Sequence, residues 1–198
     1  MSEHIAVLIS GSGSNMVSLV KDMQEGGYAT PALVLSNKVL AKGLVKAKEL
    51  GVPTAAIPHD MYDSRETFED ALHQALTKAK IDRICLAGFM RVLTAGFIDK
   101  WEGKMLNIHP SLLPKYKGLN THQRAIDAGD AEAGCSVHWV TEGVDAGDVI
   151  AQARVPIRAD DTADSLANRV LSEEHQLYPR AAAIAAQTIL AKKKPLSV

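Results

Sequence analysis

Asn107 and His109 stand two residues apart in the apolar run MLNIHPSLLPKYK, residues 105–117. In an extended backbone, alternate residues share a face, so a carboxamide and an imidazole are aimed at one point. Pro110 then removes a backbone donor and Pro114 stiffens the exit, which predicts a strand ending at a rigid loop. A second polar segment, Ser136 to Asp148, supplies Asp145. Together the three side chains define a chemistry. The amide offers two N–H donors to a carbonyl oxygen turning into an oxyanion, the imidazole moves a proton, and the carboxylate orients the ring and favours its charged form. No nucleophile completes the set, because Ser111 lacks the G-x-S-x-G elbow that exposes a reactive serine. The expected reaction is direct acyl transfer to an external amine, with no covalent enzyme intermediate. A metal centre is the competing account, but His109, His122 and His138 lack the i, i+4 pairing or clustered Cys/His spacing of a zinc site. No metal is expected, and His122 and His138 read as structural or supporting groups.

The elements that must carry these groups follow from periodicity. Ile5 to Ile9 is a continuous apolar run, read as a buried parallel strand, and it leads into Gly11-Ser-Gly-Ser-Asn15 and an amphipathic segment. A glycine loop opening a helix lets backbone amides approach an anion. The dinucleotide fingerprint is incomplete: Met16 holds its third glycine position, and no acidic residue ends the second strand, Ala32 to Asn37. A monophosphate is expected rather than NAD. A helix from Lys42 to Leu50 ends at Gly51, and Pro53 to Ile57 reads as a strand. Asp63 as cap, with Glu66 three residues on, opens a helix whose apolar face is Phe68, Leu72 and Leu76. Arg65 in its first turn opposes the helix dipole, so it is either simply solvated or held by a ligand carboxylate. Ile84 to Ala87 is another buried strand, ending at the loop 88–93. This alternation predicts an α/β protein with a parallel, doubly wound sheet.

The second half changes character. Asn120 to Ala128 reads as helix, and Gly134 to Thr141 and Val149 to Ile157 alternate across a turn-rich loop. That predicts an antiparallel extension with one wetter face. Asp161 is the expected cap of a last helix running from Thr162 to about Leu177, where Pro179 kinks or restarts it. The end, KKKPLSV, is expected to fray.

The 198 residues carry 22 Lys and Arg against 23 Asp and Glu, which gives no electrostatic reason to expect nucleic acid as a partner. No window approaches the ~20 apolar residues of a membrane span. Cys85 and Cys135 lie in apolar runs, as suits free thiols in a reducing compartment. The N-terminus shows no basic segment ahead of an apolar stretch, so a cytoplasmic protein is expected.

Taken together, several motifs resemble one family. Gly11-Ser-Gly-Ser-Asn15, Asp63-Ser-Arg-Glu66, Ala87-Gly-Phe-Met-Arg91, the run Leu106 to Gly118, Thr121-His122, Ser136-Val-His138, Val144-Asp-Ala-Gly147 and Glu174-His175 are similar to the glycinamide ribonucleotide formyltransferases, folate-dependent enzymes of purine synthesis. The likeness runs from Ile5 to about Pro179. It implies a Rossmann-like formyltransferase fold, mostly parallel with antiparallel C-terminal strands, in a single domain over 1–198. A nucleotide-phosphate half would span about 1–100, and a catalytic and folate-binding half about 101–198. The implied reaction moves the formyl group of 10-formyltetrahydrofolate onto the primary amine of glycinamide ribonucleotide, through a tetrahedral intermediate.

By the same resemblance, Asn107 is the oxyanion donor, His109 the proton-transferring residue and Asp145 the carboxylate raising the histidine's pKa. Gly13, Ser14 and Asn15 hold the ribonucleotide phosphate. Leu171, Ser172, Glu173 and Glu174 line the nucleotide site, with Glu174 on the glycine amine. Arg65, Met90, Arg91, Val92, Leu93, Asn107, Thr141, Glu142, Gly143, Val144 and Asp145 contact the folate, where backbone groups read the pterin edge. Ser12 stands where relatives often carry Asn, and Asp148 where they often carry Pro. The expected partners are these two small molecules, with the oligomeric state open between monomer and homodimer. Three other readings remain. A hydrolase would use water on the same folate, and its relatives carry an additional N-terminal domain. The initiator-tRNA formyltransferase carries an extra C-terminal domain and would want a basic surplus. A silent nucleotide-binding module would require the Asn, His and Asp to coincide by accident.

Overall fold

The computed structural model describes residues 2–193, with side chains through residue 186. The first strand, β1 (Glu3–Ile9), is buried on both faces, as an unbroken Ile-Ala-Val-Leu-Ile run requires. Its Ile5, Val7 and Ile9 face one side and Ala6 and Leu8 the other. A left-handed Gly13, φ 69°, starts α1 (Ser14–Gly26). Then follow β2 (Ala29–Ser36), α2 (Lys42–Glu49), β3 (Thr54–Ala56), α3 (Arg65–Lys78), β4 (Arg83–Leu86), α4 (Ala95–Lys100), β5 (Met105–His109), α5 (Thr121–Asp127), β6 (Glu132–Trp139), β7 (Val149–Pro156) and α6 (Ala163–Lys193).

One seven-stranded sheet runs β3-β2-β1-β4-β5-β6-β7. The first five strands in this order pair in parallel, and β6 and β7 are antiparallel additions. The chain builds outward from β1 to β3 and then crosses to the other side of β1 with β4. The loops after β1 and β4 therefore diverge at a topological switch point, where α/β sheets hold ligands. Helices α1, α2, α5 and α6 cover one face through Met16, Leu19, Leu44, Ala125 and Val170. Helices α3 and α4 cover the other through Phe68, Leu72, Leu76 and Phe97.

Four local expectations are corrected. The cap of α3 is Ser64 rather than Asp63: Ser64 Oγ accepts the Thr67 N–H and Thr67 Oγ1 accepts the Ser64 N–H, each at 3.2 Å. At α6 the same reciprocal pair is Thr162 with Ser165, at 3.0 and 3.2 Å. Asp161 instead accepts from the Arg158 amide and from two Arg169 nitrogens, all at 2.8 Å, which hold its carboxyl well below the usual range. The face of β6 expected to be wetter is buried, with Ser136 0 % and His138 2 % exposed. Ser136 Oγ donates to the Ser111 carbonyl (2.6 Å) and accepts from the Leu113 amide (3.0 Å), so the loop after β5 covers it.

The fourth correction concerns α6, which passes through Pro179 without ending. Proline there removes one helical hydrogen bond, but the turn is anchored to the sheet. Tyr178 Oη donates toward the Leu86 and Leu106 carbonyls, at 3.0 and 3.1 Å. Arg83, fully buried, donates to the Ala182 and Ala185 carbonyls at 3.3 and 3.0 Å and pairs with Glu3 at 3.1 Å. Tertiary anchoring outweighs the local penalty. The expected fraying concerned residues that, from 194 onward, lie outside the described ones. No helix among the described residues is long and apolar enough to cross a membrane.

Candidate active site

Strand geometry brings the first pair together. Asn107 and His109 lie on one face of β5, and β6 places His138 opposite Asn107 and Ser136 opposite His109. Asp145 arrives from the loop after β6, held in the left-handed conformation at φ 49°. Its Oδ2 lies 3.2 Å from His109 Nδ1 and accepts the Gly118 N–H at 2.9 Å. Its Oδ1 accepts from Asn107 Nδ2 at 3.4 Å and lies 3.5 Å from His138 Nε2. Burial pushes the Asp145 carboxyl up, but the His138 ring, the Gly118 amide and the charge of His109 outweigh it and hold the group below its ordinary range. The predicted triad is thus one hydrogen-bonded unit.

Two main-chain partners of this unit, the Tyr116 and Trp139 carbonyls, carried no sequence signal. His109 Nε2 donates to the Tyr116 carbonyl at 2.9 Å. Both nitrogens of the ring therefore face acceptors, a carbonyl and a carboxylate. His138 Nδ1 donates to the Trp139 carbonyl at 2.8 Å, and its Nε2 lies 3.1 Å from Asn107 Nδ2, which also donates to Asp145 Oδ1, so the amide turns its nitrogen toward both. This fixes which way the amide points. His138 supports Asn107, in the supporting role its position suggested.

The second group of predicted residues meets at the switch point. Gly13 and Ser14 open α1, and Asn15 Nδ2 donates to Glu174 Oε2 at 2.6 Å, joining the glycine loop to α6. Burial pushes the Glu174 carboxyl up, and the Asn15 amide only partly opposes it. Asn15 Oδ1 is buried and has no hydrogen-bond partner among the described residues. Leu171 and Glu173 are half-buried nearby on α6, whereas the exposed Ser172 bonds back to its own helix at Asn168 O, 3.2 Å away. A cleft of 260 Å³ is lined by Ser10 to Asn15, Lys38, Ala87, Gly88 and Met90. Lys38 and Ser10 were not anticipated as parts of it.

The remaining predicted positions surround the triad unevenly. Met90 and Val92 are exposed at 65 % and 58 %, unusual for apolar side chains, while Leu93 is packed in the core. Arg91 is half-buried, and Thr141, Glu142, Gly143 and Val144 form the exposed loop that ends at Asp145. Arg65 is exposed in the first turn of α3, its charge acting on neighbouring Glu66, and no contact joins it to the triad. Burial pushes Cys85 and Cys135 up to about 12, which leaves inert thiols. Among the described residues, no cluster of three or more His, Cys, Asp or Glu could hold a metal ion.

The chain is similar to known proteins. The chain is 49% identical over 185 residues to the trifunctional purine biosynthetic protein adenosine-3 of Drosophila melanogaster, a match covering 92% of this chain but only 14% of that protein's length. It is 46% identical over 176 residues to phosphoribosylglycinamide formyltransferase of Haemophilus influenzae, covering 88% of this chain and 83% of the relative. The crystal structure of phosphoribosylglycinamide formyltransferase from Brucella melitensis superposes with a TM-score of 0.90 at 49% identity, over 94% of this chain and 96% of that one. A family model described as formyl transferase matches residues 3–182, which takes in the glycine loop, the triad and Glu174 alike, and the chain belongs to that family.

Proposed function

We propose that this protein transfers the formyl group of 10-formyltetrahydrofolate to the primary amine of glycinamide ribonucleotide, a step of purine biosynthesis. The observation that carries the reading is the single carboxylate, Asp145, lying within 3.4 Å of both Asn107 and His109, the two groups suited to a formyl oxygen. The amine, neutral when it attacks, uses its lone pair to form a bond to the formyl carbon, and the carbonyl π electrons move to oxygen. That oxyanion competes with the Tyr116 carbonyl for the His109 Nε2 proton, and a full negative charge is the stronger acceptor. Asn107 supplies a second N–H by giving up its long, 3.4 Å bond to Asp145 Oδ1, for which the oxyanion is a nearer acceptor. Cleavage of the carbon–N10 bond then needs a proton at N10 and the loss of one from the former amine, and His109 or a bound water relays it.

The binding residues fit the two substrates. The amides of the Gly13–Asn15 loop suit a phosphate, and Glu174 with Asn15 Oδ1 offers acceptors to an amine. Exposed Met90, Val92 and Val144 offer apolar contact to a flat ring, beside main-chain groups that can read its polar edge. Incubating the pure protein with a 10-formylfolate, with and without glycinamide ribonucleotide, tests the proposal through loss of the formyl group. Consumption only with the ribonucleotide supports it; equal consumption without the ribonucleotide replaces it with hydrolysis.

A further inference from the structure

Ser10 joins three loops. It follows the last residue of β1 and precedes Gly11, yet its side chain is 6 % exposed and turned away from solvent. Its Oγ donates to Asn37 Oδ1, in the loop after β2, at 2.5 Å, and accepts the Met90 N–H, in the loop after β4, at 2.8 Å. Its own N–H donates to the Gly88 carbonyl at 3.1 Å. Two bonds therefore tie the start of the anion loop to the 88–92 segment. Asn37 is itself 1 % exposed and held by His59, whose Nδ1 lies 3.3 Å from Asn37 Nδ2 and 3.1 Å from its carbonyl. The hydroxyl proton is thus committed to Asn37, which leaves the oxygen's lone pair for Met90. The cleft at the switch point is walled by these same three loops, with Ser10 among its lining residues.

We infer that Ser10 is a positioning residue that couples the two substrate sites, so that an anion seated on the Gly11–Asn15 loop orders the Gly88–Val92 segment. The inference rests on the reading of the first loop as the ribonucleotide site and the second as part of the folate site. Its physical basis is ordering: a ligand that fixes the Ser10–Gly11 backbone also fixes the acceptor of the Met90 amide, so the folate loop has less freedom left to lose when its own ligand arrives. No contact of Ser10 with either ligand is needed.

The test follows amide hydrogen exchange at Met90 in the full-length protein, with inorganic phosphate and then glycinamide ribonucleotide as probes, alongside the affinity for a 10-formylfolate analogue. In the wild type, the ribonucleotide should slow Met90 exchange and tighten the analogue by about fivefold or more. In Ser10→Ala, both effects should fall below about twofold, because the amide loses its acceptor. Unchanged Met90 exchange in the wild type with the ribonucleotide bound overturns the inference, whether or not the variant folds. So does a Ser10→Ala protein that melts lower yet keeps the ligand-induced protection, since that is what a merely structural serine would do. Absence of formyl transfer with anion-induced protection at Met90 intact would remove the formyltransferase reading and leave the coupling standing.

Discussion

Asp145 Oδ2 lies 3.2 Å from His109 Nδ1, although one residue sits in a loop after β6 and the other at the end of β5. The loop's left-handed turn at Asp145 and the Gly118 amide on the same oxygen hold the carboxylate there.

Replacing Asp145 with Asn should therefore lower turnover by about 100-fold or more while leaving both KM values nearly unchanged, because the ring loses the charge that orients it. Stability gives a second readout. The Asp145 carboxyl is held below its ordinary value, so it stabilises the fold above the unfolded-state pKa of about 3.9, and that contribution is lost as pH falls through the lower native value. The wild type should melt above the variant at neutral pH, and the two curves should converge as the solution is acidified below about pH 4. A variant with full turnover across pH would show that Asp145 plays no part in the chemistry.

Glu174 predicts the opposite sign. Burial raises its pKa, so the ionised form costs stability above the native pKa, and the cost vanishes below the unfolded value of about 4.3. Glu174→Gln should melt higher than the wild type at neutral pH, with the gap closing in acid. The same variant should raise the ribonucleotide KM about tenfold, since a charged acceptor is lost from the site. A residue that costs stability while serving a substrate is the trade expected of a functional group. Steady-state kinetics paired with thermal melts decide it, and an unchanged ribonucleotide KM would refute the binding role.

Gly43 makes a third test. Alanine in a helix is favoured over glycine by about 1 kcal/mol. Here a Cβ on Gly43 would lie 2.4 Å from Ile9 Cδ1 and 3.0 Å from the Gly13 Cα, so the anion loop would have to move. Overpacking of about 1–3 kcal/mol outweighs the propensity gain. Urea unfolding of Gly43→Ala should show a lower midpoint, and the ribonucleotide KM should rise. A stabilised variant with unaltered KM would contradict the close packing of α2 on this loop.

Strand periodicity made the Asn107–His109 pairing legible, and the βα alternation made the parallel sheet legible. The acid at 145 was identified by its motif. What stayed hidden was main-chain chemistry: the Tyr116 carbonyl and the Gly118 amide hold the triad, and a backbone group leaves no trace in residue type. Helix α4 was missed because six residues carry too little pattern, only Phe97 and Ile98 being buried. Both helix caps were displaced by one position for a single reason. An aspartate preceded a Ser or Thr that had a hydroxyl partner three residues on, and the reciprocal pair won. The last helix was expected to run only to about Leu177, with Pro179 kinking or restarting it, because the rule for proline is local, whereas Tyr178 and Arg83 act across the sheet.

The Arg83 guanidinium also bears on how the chain is made. Its carbonyl acceptors come 99 and 102 residues later in the polypeptide. Until the last helix is made, the cation in the middle strand of the sheet has the Glu3 carboxylate and the Trp139 ring beside it but neither carbonyl, so its buried N–H groups are only partly satisfied. The set of contacts around that side chain closes only when the final helix docks. The nascent protein thus completes its interior late, with the first and last parts of the chain closing on each other around one arginine.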